Sequence, residues 1–308
     1  MRTKACMLLA ILAMLLSGCS KLERTRSGSK NAALAAQIRG LLEAFISSDD
    51  DSKEARVLAD AKTIFEREGI PSSTRVGDDA SYGFVLVNML GQPQSFRTEF
   101  IKKVREANAN GELPPDAAVF AEARLRQTEV EERFRNRLPL APAMRDEIFR
   151  LHKIDQAFRQ KEGFDAKKME KVDSEIRGPL QAIFERHGVP TYDMVGVEAA
   201  EGFVVMVQHQ SPEFRRIALP KLKANVDAGQ GDAGTYAMVY DRAQRDRGKK
   251  QLYGEQLECQ EGKTLSEAPI EEEATVNMRR AGLGLIRVQI YARLVKLRSP
   301  DLCGSAPP

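Results

Sequence analysis

Apolar residues recur along most of the chain at intervals of three and four positions, which is the spacing of one face of an α-helix. The first stripe consists of Leu34, Ile38, Leu41, Leu42 and Phe45. Further stripes lie in Val57–Phe65, Phe96–Val104, Ala118–Val130, Ile148–Phe158, Met169–Phe184, Phe214–Val226 and Tyr236–Ala243. No alternating run is long enough to predict a sheet, and we expect Glu198–Gln210 to form a buried helix. The sequence therefore predicts an all-α fold.

One pattern of residues occurs twice, at a constant separation of 119 residues. Ile64-Phe65-Glu66-Arg67-x-Gly69-x-Pro71 returns as Ile183-Phe184-Glu185-Arg186-x-Gly188-x-Pro190, and Gly83-Phe84-Val85 returns as Gly202-Phe203-Val204. After one deletion, Phe96-Arg97 meets Phe214-Arg215. Self-similarity of this extent predicts an internal duplication. Each copy begins with a helix that stops at its Gly-x-Pro, because glycine commonly ends helices and the residue before proline leaves the helical region.

The proline-containing segment Leu138–Pro142 separates the two copies. We therefore predict two related helical lobes, residues 32–138 and residues 146–299. Each lobe is long enough to bury a core of its own. The N-terminal lobe lacks several polar residues of the C-terminal lobe, and we interpret it as a degenerate copy.

The first nineteen residues pass from basic to apolar to small side chains. Arg2 and Lys4 precede an apolar run from Ala5 to Leu16, which is too short to cross a bilayer as a helix. Leu16-Ser17-Gly18-Cys19 resembles the lipobox of bacterial lipoproteins, in which the cysteine receives lipid and anchors the protein. We expect residues 1–18 to be a signal peptide and residues 19–31 to be a lipidated tether in the cell envelope. An ordinary secretory signal with a chance cysteine is the alternative.

The charge and cysteine content agree with an envelope protein. Lys and Arg total 47 against 44 for Asp and Glu, and two of the basic residues leave with the signal, so no basic excess predicts a nucleic-acid partner. A host of the Gram-negative type would place the protein at the outer membrane, facing the periplasm. Cys259 and Cys303 are then in an oxidising compartment, where a disulfide between them is plausible. Two free thiols remain the alternative.

The two copies differ in polar residues that could carry chemistry. Gln208-His209 and Asp241-Arg242 occur in the C-terminal copy, whereas Leu90 and Ala123 occupy the positions of His209 and Asp241 in the N-terminal copy. The N-terminal copy keeps the apolar pattern of the fold without these polar residues. This difference suggests that the polar residues of the C-terminal copy have a role beyond folding. Simple degeneration of one copy would produce the same difference.

These polar residues carry a resemblance to a known family. The matching positions are Asp155-Gln156, Met169, Val172-Asp173, Val195-Gly196, Gln208-His209, Asp241-Arg242, Gln251, Tyr253-Gly254 and Gln256. In this spacing, residues 146 to about 295 resemble the bacterial domain-of-unknown-function family 6624. The resemblance implies no established activity. The chain departs from the family pattern in having no Trp and in carrying Ile176 and Glu255 where the family usually has Asn and Thr.

His209 is the strongest catalytic candidate, because imidazole titrates near neutrality and serves as an acid or a base. In this hypothesis Asp241 orients His209, and Arg242 holds an anionic group. A buried histidine satisfied by Asp173 or Asp241 is the structural alternative. The remaining members of the polar set are predicted to line a ligand site: Asp155, Gln156, Asp173, Gln208, Gln251, Tyr253 and Gln256. We predict no metal and no cofactor, because few histidines are present and no His-x-x-x-His spacing occurs.

Three functions remain open from the sequence. The leading hypothesis is a lipid-anchored envelope protein that binds an unknown protein or small ligand in a polar cleft of the C-terminal lobe. The second is an envelope hydrolase that uses His209 with Asp241 and Arg242. The third is a scaffold in which Asp241, Arg242 and Tyr253 are buried and paired with one another.

Overall fold

The computed structural model describes residues 31–48, 50–159, 166–260 and 264–299, together with Cys303. The predicted signal peptide, the lipidation site Cys19 and all of the tether except Asn31 lie outside the described residues. Within the described ranges, no helix combines the length and the apolar character that a membrane span requires.

The described residues form two compact units. Within the described ranges, the N-terminal unit comprises residues 31–126 and Asn277–Arg298, and the C-terminal unit comprises Gln127–Val276, Ser299 and Cys303. The long helix Pro115–Arg135 is divided between them. These bounds differ from the predicted ranges of the two lobes, because the last helix of the chain packs with the N-terminal unit.

Helices make up nearly all of the N-terminal unit. In chain order they are α1 (Ala32–Ser47), α2 (Asp51–Glu68), α3 (Ser73–Val76), α4 (Asp78–Gly91), α5 (Gln94–Ala109) and α6 (Pro115–Arg135). The apolar helix α4 is buried along most of its length, and the stripes predicted on α1 and α2 pack against it. The all-α expectation is confirmed.

The C-terminal unit repeats this order of helices. Its elements are α7 (Pro142–Arg159), α8 (Ala166–His187), α9 (Tyr192–Val195), α10 (Val197–His209), α11 (Pro212–Asp227), α12 (Ala233–Arg245), β1 (Leu257–Gln260) and β2 (Thr264–Glu267). The predicted buried helix is α10, whose residues from Phe203 to His209 are all buried. After β2 come a 3-10 turn (Glu273–Thr275), α13 (Val276–Gly282) and α14 (Val288–Arg298).

Equivalent turns of the two units share their backbone hydrogen bonds. The amides of Gly69 and Gly188 end the second helix of each unit by donating to the carbonyls of Phe65 and Phe184. Gly77 and Gly196 then begin the buried helices with φ of 86° and 82°, a conformation in which a side chain would be strained. The repeated glycines therefore have the same structural task in both units.

The antiparallel pair β1–β2 was not predicted. Leu257 and Cys259 are buried on β1, and Cys259 lies opposite Leu265 of β2. Strands of four residues each are too short to give a clear alternating pattern. A disulfide joins Cys259 to Cys303, so the end of the chain is tied to this hairpin.

The segment after α13 is held within the N-terminal unit by Arg287. Its guanidinium donates to both carboxylate oxygens of Asp116, at 2.6 and 2.7 Å, and lies over the ring of Tyr82. Ile286 and Ile290 pack against the N-terminal core. These contacts explain why α14 belongs to this unit although it is distant in sequence.

Candidate functional site

The candidate site lies at the carboxyl end of α10. This helix is buried because its residues are almost all apolar, yet it ends in the polar run Gln208-His209-Gln210. The side chain of His209 is only 2% exposed. Polar groups at such a position need hydrogen-bond partners, since an unpaired buried group costs about 1–3 kcal/mol.

Asp155 of α7 is the partner of His209. The Nδ1 atom of His209 lies 2.9 Å from Oδ1 and 3.1 Å from Oδ2 of Asp155. Asp155 is fully buried and also accepts hydrogen bonds from Arg159 and from Gln156, at 3.1 and 2.7 Å. Arg159 bridges onward to the carboxylate of Asp173 on α8. Three helices thus contribute to one connected set of polar side chains.

The protonation states follow from burial and charge. Burial opposes ionisation of Asp155, but the hydrogen bond from His209 and the charge of Arg159 outweigh it and lower its pKa. Burial also lowers the pKa of His209, although Asp155 partly opposes that shift. An ionised carboxylate only accepts, so a neutral His209 must carry its proton on Nδ1. Its Nε2 atom then presents a lone pair.

Several polar atoms at this end of α10 and on α7 have no partner among the described residues. The Nε2 atom of His209 makes no hydrogen bond with any described residue. In the same part of the structure, Oε1 of Gln208 and both amide atoms of Gln210 are buried and unpaired, as is Nε2 of His152. The arrangement can accept or donate a proton at Nε2 and can bind a polar ligand.

The structure corrects the predicted role of Asp241. Its carboxylate accepts hydrogen bonds from the backbone amides of Leu252, Tyr253 and Glu255, at 2.7 to 3.1 Å. Asp155, and not Asp241, orients His209. A carboxylate that binds consecutive amides fixes a loop, so Asp241 is a structural residue. The structural alternative was a buried His209 paired with Asp173 or Asp241; His209 is buried and paired, but its partner is Asp155.

Gln251, Tyr253 and Gln256 also hold that loop and lie apart from the contacts of His209. The amide of Gln251 donates to the carbonyls of Gln256 and Ala268, at 3.0 and 2.7 Å. Gln256 donates to the carbonyl of Met238 on α12. Tyr253 packs its ring against the rings of Tyr236 and Tyr240. The scaffold hypothesis had paired Asp241, Arg242 and Tyr253 with one another, and the structure pairs Asp241 with the backbone amide of Tyr253.

Arg242 remains a cation near the site. Burial lowers its pKa to about 10, and the neighbouring charge of Arg215 acts in the same direction. Arg215 itself donates to both oxygens of Asp246, and it donates to the backbone carbonyls of Gln208 and Gln210. These bonds anchor the polar end of α10. Arg242 is charged at neutral pH and could contact an anionic group.

A metal ion would have a suitable set of ligand atoms here. Ligand atoms of Asp155, Asp173 and His209 lie within 4.8 Å of one another. Arg159, however, already donates to both carboxylates, so a metal ion would have to displace this guanidinium. The donor set fits a metal by type, but its charge is already compensated.

A second acidic cluster occurs in the same unit. Glu131, Glu201 and Asp232 bring carboxylate oxygens within 4.8 Å of one another. Burial raises the pKa of Glu201 well above its usual value, and the charges of Asp232 and Glu131 raise it further. Asp232 also caps α12 by accepting from the amide of Thr235 at 2.6 Å. This cluster joins helices, and the burial and mutual repulsion of its carboxylates favour the protonated form of Glu201.

Arg159, His152 and Gln210 belong to the site but were not predicted. Arg159 follows Asp155 by four positions on α7, which is the spacing of an ion pair on one helix face. His152 precedes Asp155 by three positions and lies against Gly202 of α10. Helical spacing around Asp155 would have identified both residues. No comparable signal marks Gln210.

The family of unknown function DUF6624 matches residues 142–299 of the chain. Because this match covers more than half of the chain, the protein belongs to that family. No curated protein and no solved structure is significantly similar to the chain.

Proposed function

We propose that this protein is a cell-envelope lipoprotein, anchored through lipid on Cys19, whose C-terminal unit binds a small polar ligand beside His209. One observation carries the proposal: Gln208 and Gln210 are each only 4% exposed, and they leave three amide atoms without a partner among the described residues. Each such atom costs about 1–3 kcal/mol unless something pairs with it. A ligand that offers both donors and acceptors would recover this free energy.

The chemistry of the site supports an uncharged or anionic ligand. The lone pair on Nε2 of His209 accepts a hydrogen bond, and the amides of Gln208 and Gln210 offer a donor and two acceptors. Arg242 adds a positive charge nearby. The acidic groups in contact with the site, Asp155 and Asp173, are already paired with Arg159.

Thermal unfolding of the chain from Ser20 onward, with a panel of envelope sugars, peptides and phosphorylated compounds, tests the proposal. We expect one class of ligand to raise the Tm of the parent and of His187→Ala, whose imidazole is exposed at the end of α8. The same ligand should not raise the Tm of His209→Leu or Gln210→Ala. A ligand effect that persists in both of these variants would contradict binding beside His209.

An envelope hydrolase is a second candidate, because Asp155 holds Nδ1 of His209 and leaves Nε2 as a base. This pairing orients an imidazole as carboxylates do in general-base catalysis. His209 would take a proton from water or from a substrate hydroxyl, and Arg242 would stabilise the negative charge that develops. Asp155 replaces Asp241 in this hypothesis.

Turnover assays separate the two candidates. A hydrolase should lose activity in His209→Ala and retain its pH profile in His187→Ala. The pH profile of the parent should show an acidic limb, on which activity falls as Nε2 of His209 becomes protonated, at a pH below that of an ordinary histidine. Ligand binding without turnover of any bound compound would favour the binding protein.

We also propose that the two units arose by internal duplication, which left the site in only one of them. The repeated sequence pattern and the shared hydrogen bonds at Gly69 and Gly188 support this origin. Under this proposal, the N-terminal unit supports folding and does not bind the ligand of the C-terminal unit.

A further inference from the structure

The segment that precedes α7 exposes an unusual combination of side chains. Leu138 is 92% exposed and Leu140 is 76% exposed, which makes them the most exposed large apolar residues among those described. Leaving a leucine side chain in water is unfavourable, because apolar surface is more stable when buried. Two largely exposed leucines only two positions apart indicate an interaction surface.

Basic residues surround these leucines. The stretch from Arg133 to Arg145 contains four arginines and no acidic residue. Arg133, Arg135 and Arg137 are exposed. Arg135 lies 3.7 Å from the carboxylate of Glu131. Arginines that flank exposed leucines are typical of segments that bind anionic lipid surfaces.

The segment is held in place by hydrogen bonds and is not a loose loop. The amides of Leu140 and Ala141 donate to the carbonyls of Asp193 and Met194, at 3.0 and 2.8 Å. Arg137 lies over the ring of Phe134 at the end of α6. The two leucines are therefore presented in a defined geometry, so that little conformational freedom is lost on docking.

We propose that the Leu138–Leu140 segment docks the C-terminal unit on an anionic bilayer surface, with the leucines among the acyl chains and Arg133, Arg135 and Arg137 at the phosphates. This inference rests on the proposed envelope location. The tether after Cys19 is about a dozen residues long and spans at most roughly 40 Å, so an anchored chain stays within reach of the surface. A protein with an acidic, apolar surface is the rival occupant.

Sedimentation with vesicles tests the docking without the lipid anchor. The chain from Ser20 onward contains every described element, because these begin at Asn31. We expect it to bind vesicles of phosphatidylethanolamine and phosphatidylglycerol, and not vesicles of phosphatidylcholine. Binding should weaken as salt rises, since headgroup charge is screened.

Two pairs of substitutions locate the contact. Leu138→Ser with Leu140→Ser should weaken binding about tenfold or more, and Arg133→Gln with Arg137→Gln should weaken it roughly 25-fold, at about fivefold for each arginine. The matched control is Ile217→Ser with Arg216→Gln on α11, which removes an exposed apolar and a basic side chain elsewhere on the same unit.

Equal binding by the parent and by both pairs of variants would overturn the proposal, and so would equal binding to the two kinds of vesicle. Capture of an envelope protein through Leu138 and Leu140, with no vesicle binding, would identify the rival occupant. Failure of the envelope location itself is seen separately, as the absence of lipid on Cys19 by mass spectrometry of the full chain.

Discussion

The same corner of the fold is apolar in the N-terminal unit and polar in the C-terminal unit. Gly83 of α4 meets Leu42 of α1, and in the repeat Gly202 of α10 meets His152 of α7. These contacts make Leu42 and His152 equivalent. Phe45 and Asp155 each lie three positions further along, so Phe45 on α1 occupies the position of Asp155 on α7. The repeat pattern likewise places Leu90 at the position of His209. Gln92 and Gln210 are the C-cap residues of α4 and α10.

The comparison shows that folding does not need the polar set. In the N-terminal unit, Phe45 and Leu58 fill the space beside Gly91, so that a Cβ atom there would lie 2.9 and 2.2 Å from their side chains. At the end of α4, Gln92 donates to the carbonyl of Leu58 at 2.7 Å, whereas the side-chain amide of Gln210 has no partner among the described residues. The C-terminal unit buries the polar side chains of His209 and Gln210, which is unfavourable for stability. Such exceptions to the rules of core packing are expected at functional sites.

The largest expected loss comes from Asp155→Ala. This change leaves Arg159 and His209 buried without their shared partner, and removing one member of a buried ion pair typically costs about 3–5 kcal/mol. Urea unfolding, followed by a signal from the C-terminal unit, measures the loss. Asp146→Ala on the same helix removes an exposed carboxylate and is the control. A loss no larger than that of the control would show that the pairing is not needed.

A smaller loss is expected when a polar side chain is placed in the apolar corner of the N-terminal unit by Gly91→Gln. The new side chain would meet Leu58 and Phe45, and overpacking of this kind costs about 1–3 kcal/mol. In the C-terminal unit, Gln210→Ala removes unpaired amide atoms and should leave the Tm unchanged or higher. Equal losses in the two variants would mean that the corners are packed alike.

The pH dependence of stability should differ between His209→Leu and the parent. Because the pKa of His209 is lowered in the folded chain, the unfolded chain binds this proton first as the pH falls below about 6.5. The parent should therefore lose stability from pH 7 towards pH 5, and His209→Leu should lose less. Parallel Tm curves for the two proteins would contradict the lowered pKa.

The smallest effect is expected for Glu201→Gln. Its pH dependence should be opposite to that of His209→Leu, because the pKa of Glu201 favours stability at low pH. Its raised pKa means that the folded chain keeps a proton that the unfolded chain releases above about pH 4.5. The parent therefore loses stability as the pH rises, and the uncharged amide should remove that loss. A Tm advantage of Glu201→Gln that grows from pH 5 to pH 8 is the expected result, and a constant difference would argue against it.

The helices could be predicted from the sequence because their apolar stripes are local. The stripe from Leu34 to Phe45 lies on α1, and the apolar run ending at His209 is α10. The hairpin β1–β2 could not be predicted, because a strand of four residues is too short to show a clear alternation of apolar and polar residues. The packing of α14 with the N-terminal unit depends on Arg287 and Asp116, which are far apart in sequence.

The site could be predicted only in part, for the same physical reason. His209, Asp155 and Asp173 were among the candidate residues, and the structure brings them together through Arg159. The choice of Asp155 over Asp241 as the orienting carboxylate depends on which helices are neighbours. Residue types alone do not contain that information.

The state of His209 tests the central claim most directly. Nuclear magnetic resonance of the chain from Ser20 onward, with labelled histidines, reports the tautomer and the pKa of each imidazole. We predict that His209 carries its proton on Nδ1, titrates below the pKa of a free histidine, and responds to a ligand that stabilises the parent. A proton on Nε2, or an unshifted titration with no response to such a ligand, would contradict a binding site at the polar corner.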